Sequence, residues 1–97
     1  MATETYQIAH IKEQNQDIII VLISPSIENK PKQQQDAILQ TIQLCASSAG
    51  LAGTVCLVWE SKNRFNFIAP AQWHPYFKST NMLYVRTILN KTLTCQI

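Results

Sequence analysis

Apolar residues fall along this chain in three patterns, and each predicts a different element. Thr5 to Lys12 alternates weakly, with Tyr6, Ile8 and His10 on one face and Gln7, Ala9 and Ile11 on the other. That period of two predicts a half-exposed edge strand. Asp17 then opens an unbroken run, Ile18-Ile19-Ile20-Val21-Leu22-Ile23. A run without polar alternation predicts a strand buried on both faces. Thr54 to Glu60, released by Gly53, has the same character. The polar cluster Asn15-Gln16-Asp17 predicts a turn, making the first two strands a hairpin. Ser61-Lys62-Asn63 predicts a second hairpin, returning through Arg64 to Ile68 with Phe65 and Phe67 on one face.

Helical spacing is the third pattern. Between Lys32 and Ala49 the residues Leu39, Ile42, Ala46 and Ala49 form one stripe, expected to face a sheet. Gln33, Gln34, Asp36, Gln40 and Gln43 form the expected solvated side. Asn29 is the expected N-cap, Pro31 lies in the first turn, and Gly50 suits the left-handed residue after the helix. A second helix is expected over residues 81–90, capped within Ser79-Thr80-Asn81, with a stripe of Val85, Ile88, Leu89 and Thr92. Tyr84, Val85, Thr87 and Ile88 make a strand a competitor there, and Thr92 to Cys95 is expected to be extended or frayed.

These elements predict one α+β domain spanning residues 1–97, of order ββαββα. Strand 17–23, helix 31–49 and strand 54–60 form a βαβ unit, whose strands pair in parallel. The expected sheet is mixed and four-stranded, in the order 1-2-3-4, with a parallel central pair, antiparallel edges and two helices. Strands apolar on both faces need two covering layers. The second layer is expected from the second helix, an aromatic segment or another subunit.

That aromatic segment runs from Arg64 to Lys78 and holds five of the chain's eight aromatic residues. Pro70 and Pro75 bracket Ala71-Gln72-Trp73-His74, so no long helix or strand runs through both. Trp73 and Phe77 are expected to pack over the open sheet face, and His74 and Tyr76 to be exposed. Arg64, Trp73, His74, Tyr76, Lys78 and Arg86 form the candidate site for a ligand or partner.

Charge changes the picture through its distribution. Residues 1–60 carry six acids and three lysines, whereas residues 61–97 carry five cations and no acid. Halves so different either face each other, within the fold or across a dimer, or serve an anionic partner. Charged residues are only 14% of the chain, low for a globular protein, which points to surface hidden in an oligomer.

Catalytic chemistry finds little support. Cys45 lies late in a helix and Cys56 among apolar strand residues, so both read as packing residues rather than activated thiols. Cys95 lies close to the last residue, where order cannot be assumed. Three widely spaced cysteines suggest neither a disulfide framework nor a zinc site, and imply reduced thiols. His10 and His74 have no paired ligand spacing, so no metal is expected. Two glycines in the whole chain exclude a glycine-rich phosphate cradle; no cofactor is expected. A polar start without a basic leader, and a longest apolar run of six residues, predict a cytoplasmic chain that does not enter a membrane. The expectation is a non-enzymatic binding or assembly module that forms a homodimer. The alternatives are nucleic-acid binding through residues 61–97 and a small enzyme with a pocket at Trp73-His74.

Overall fold

The computed structural model describes residues 3–96. Strands β1 (Thr3–Glu13) and β2 (Gln16–Leu22) form the expected hairpin. Its two-residue loop places Gln14 and Asn15 at φ 51° and 64°. This left-handed geometry matches the twist of paired strands. β3 (Thr54–Ser61) and β4 (Arg64–Ile68) repeat the device, with Lys62 and Asn63 at φ 53° and 63°. β2 and β3 pair in parallel, Ile20 opposite Cys56, and helix α1 (Lys32–Ser48) links them.

The sheet has five strands, not four, in the order β4-β3-β2-β1-β5. The added strand is β5 (Lys91–Gln96), which pairs antiparallel with Thr3 to Ile8 of β1. The first strand is therefore interior, not an edge. The second expected helix stops early, as α3 (Met82–Ile88). Asn81 caps it as expected, its Oδ1 accepting the Tyr84 N–H at 2.8 Å. Asn90 then locks the chain to β1. Its backbone N–H donates to Ile8 O, its side-chain oxygen accepts the His10 N–H, and its amide donates to His10 O. One side chain thus imitates a strand residue and carries the ladder past the end of β5.

Both prolines of the aromatic segment start helical turns. Pro70 precedes a 3-10 turn, Ala71–Trp73, and Pro75 lies in the first turn of α2 (His74–Lys78). At such positions the missing N–H has no intrahelical partner to lose. Asn29 is not the N-cap of α1. It ends a 3-10 turn, Pro25–Asn29, and Pro31 takes the cap position without a side-chain bond. Instead Gln35 Nε2 donates to the carbonyls of Ile27 and Lys30.

Alternation along the central strands feeds two cores. Ile8, Ile19, Val21, Val55, Leu57 and Trp59 face α1, which contributes Ile42 and Ala46. Leu39 packs against this core as expected, but Ala49 lies exposed. Gln43, expected in solvent, is half-buried and bonds the connection into β3, its Oε1 accepting the Val55 N–H at 2.8 Å. On the opposite face Ala9, Ile18, Ile20, Cys56 and Val58 lie under Trp73, Phe77, Met82 and Val85. The second covering layer is therefore the aromatic segment and α3 together.

Gly50 takes its left-handed position at φ 82°. Gly53 has φ 128°, and a Cβ there would lie 2.7 Å from the Asp17 carbonyl oxygen. Gly53→Ala should therefore cost about 1–3 kcal/mol or more in urea denaturation, from backbone strain plus a clash with main chain that has no rotamer to yield. Gly50→Ala meets nothing within 4 Å and should lose only about 1 kcal/mol. Equal losses would contradict the close approach at Asp17.

The three cysteines are not all reduced. Cys45 of α1 and Cys95 of β5 form a disulfide with Cα atoms 5.8 Å apart, inside the normal span for such a bond. Cys56 is free and buried.

Candidate functional site

The aromatic segment forms a continuous ring cluster. Phe67 of β4 stacks on Phe77 at 5.2 Å and meets His74 edge-on at 5.3 Å. Tyr76 meets Phe77 at 5.2 Å and Trp73 at 6.1 Å, both edge-on. Offset and edge-to-face contacts suit the quadrupoles of the rings. Gln72 Nε2 donates to Gln16 Oε1 at 3.1 Å, tying the segment to the first hairpin.

Of the sequence candidates, Trp73, His74 and Tyr76 come together, but as an interior wall. Trp73 is 2% exposed and Phe77 0%. His74 and Tyr76 are half-buried, not the exposed pair expected. His74 Nε2 carries a proton and donates it to the Ala69 carbonyl at 2.9 Å, so this nitrogen is already committed. Burial pushes the Tyr76 phenol above its ordinary value. The buried Trp73 N–H has no hydrogen-bond partner among the described residues.

The three cationic candidates lie on three elements. Arg64 is exposed on β4, Lys78 ends α2, and Arg86 is in the last turn of α3. Arg86 lines a shallow depression of about 390 Å³ with Gln7 and Lys91. Lys91 begins β5, at the sheet edge opposite Arg64 on β4. Among the described residues the single ion pair is Lys32–Asp36 at 3.8 Å, on an exposed face of α1. Among the described residues, no ion pair joins the acidic half to the basic half.

Reactive groups are dispersed. Burial pushes the Cys56 thiol up to about 12, so it stays protonated and a poor nucleophile at neutral pH. His10 Nε2 donates to the Ala52 carbonyl at 2.8 Å. Among the described residues no three His, Cys, Asp or Glu side chains gather as a metal site requires, and no helix is long and apolar enough to cross a membrane.

Two surface features escaped the sequence reading. One is the exposed apolar pair on α3, Leu83 at 75% and Tyr84 at 39%. The helical stripe through Val85 hinted at it, because Leu83 lies off that stripe. The other is a pocket of about 340 Å³ between β1, the 3-10 turn Pro25–Asn29 and α1, with Glu4 and Lys30 on its walls. No local motif marks it, since its walls come from three separate segments. Comparison with family models, with curated proteins and with solved structures finds no match.

Proposed function

We propose that this protein is a non-enzymatic binding or assembly module that self-associates through the outer face of α3. The observation that carries this reading is Leu83, 75% exposed beside Tyr84 on a helix whose inner face is already filled by Met82 and Val85. Burying one leucine and the apolar part of one tyrosine at an interface favours association. Charge is compatible with the same reading, because among the described residues no ion pair joins the acidic half to the basic one. The sequence reading placed the site on the aromatic segment; here that segment supports α3 from within.

Light scattering tests the proposal. At tens of micromolar the wild-type chain of 11.0 kDa should weigh about twice that, as a two-fold dimer. Leu83→Glu should return it to the monomer with little change in melting, because the residue is outside the core. A wild-type monomer would sink the proposal.

A second reading has its own observation: Arg86 and Lys91 share an acid-free depression. An anion such as a nucleic-acid phosphate would suit it. Because the cations lie on separate elements, single-stranded DNA or RNA should show a shallow salt slope, about −1.4 for two phosphates, not that of an extended basic stripe. No shift at low salt would end this reading. Among the described residues, none of five surface concavities is lined by Trp73 or His74, so the enzyme reading gains no support from them. Reduced thiols were one ground for the cytoplasmic expectation, and the Cys45–Cys95 bond removes that one.

A further inference from the structure

The pocket on the α1 face has a definable chemistry. β1 pairs with β5 back to Thr3, but its pairing with β2 ends at Ile8 opposite Val21. Past Ile23, whose N–H still donates to the Val58 carbonyl of β3, the chain leaves the sheet and winds through the turn Pro25–Asn29, which seats Ile27 in the core. The corner left behind is the pocket of about 340 Å³, a size suited to a small ligand. Its apolar lining is Tyr6, Ile23, Ile27 and Ile38. Glu4 projects from β1, and Lys30 closes the 3-10 turn. These opposite charges form no ion pair with each other.

The hydroxyls add direction. Ser24 Oγ accepts the Ser26 N–H and donates its own proton to Ser26 Oγ. The Ser26 hydroxyl therefore keeps its proton for a ligand. Burial, and then Glu4, raise the Tyr6 phenol above its ordinary value. It thus remains a neutral ring and O–H donor beside the carboxylate.

We propose that this pocket binds a small zwitterion with an apolar body, a free amino acid or a dipeptide. Glu4 takes the ammonium against the face of Tyr6, where a cation gains from the ring quadrupole. Lys30 and Ser26 take the carboxylate through charge-assisted hydrogen bonds. Ile23, Ile27 and Ile38 take the aliphatic side chain. The site is on the sheet face opposite α3, so its failure would leave the self-association proposal standing, and the reverse also holds.

Titration calorimetry with L-leucine and L-leucyl-L-leucine tests this, with N-acetyl-leucinamide as the uncharged control. Saturable binding of at least one zwitterion is expected, with the control much weaker. Glu4→Gln and Lys30→Gln should each weaken that binding by roughly tenfold or more, the loss of one charge-assisted contact. Both side chains are exposed, so both variants should keep wild-type circular dichroism and melting. No binding of either zwitterion would overturn the proposal. So would equal binding of the control, or unchanged affinity in both variants.

Discussion

Trp73→Ala should lower the unfolding free energy by about 3–5 kcal/mol, the usual cost of truncating a buried large aromatic. The ring is 2% exposed and lies over the second face of the sheet with Phe77, Met82 and Val85. A domain of this size has about 5–15 kcal/mol to lose, so the variant should melt far lower or fail to accumulate. Trp73→Phe is the informative control. It keeps a ring in place and removes an indole N–H that has no partner among the described residues, so it should cost clearly less than Trp73→Ala. His74→Ala removes one hydrogen bond to Ala69 and should cost roughly 0.5–1.5 kcal/mol. Urea denaturation of the three variants is the measurement. Equal, small losses for Trp73→Ala and His74→Ala would show that the segment does not cap the core.

The second large effect is at the disulfide. Cys45 and Cys95 are 50 residues apart, and closing a loop of that length removes enough unfolded-chain entropy for about 4 kcal/mol. The bond also fastens β5, an edge strand paired with β1 among the described residues, to the far end of α1. Reduction, or Cys95→Ser with Cys45→Ser, should lower the melting temperature by roughly 15–30 °C. A thiol count checks the premise. The denatured, unreduced chain should take one alkylating label, on Cys56, and the reduced chain three. Three labels without reductant would refute the bond.

The same region shows where sequence patterns lose their hold. The runs Ile18 to Ile23 and Val55 to Trp59 were legible as strands because each is short, unbroken by polar residues, apolar on both faces and bounded by turn residues. The Gly50 stop and the Asn81 cap were legible because local chemistry fixes both. β5 was not. Only Leu93 and Cys95 of its six residues are buried, and its partner is the first strand, at the opposite end of the chain. Alternation over so few residues does not separate a strand from a frayed helix end. The disulfide was hidden with it, since an odd number of cysteines does not say which two meet until β5 is placed.

At the candidate site the balance reverses. Burial of Trp73 and Phe77 was legible from the surplus of rings and the sheet face they had to cover. The half-burial of His74 and Tyr76 was not, because Phe67 and Ala69 reach His74 from β4 and the loop that follows, and Tyr76 packs on Trp73 and Phe77. Asn29 misled for a related reason. Ile27 needs a place in the core, and the 3-10 turn that puts it there consumes Asn29 before α1 begins.

The central claim is that the aromatic segment is an inner wall of the protein and not its recognition surface. Tryptophan fluorescence tests this most directly. Trp59 and Trp73 are both buried, on opposite faces of the sheet, and Trp59→Phe leaves Trp73 as the sole reporter. Its emission should be blue-shifted, and acrylamide should quench it weakly, as for an indole shut away from solvent. Red-shifted emission with quenching close to that of free tryptophan would put Trp73 on the surface and contradict the account.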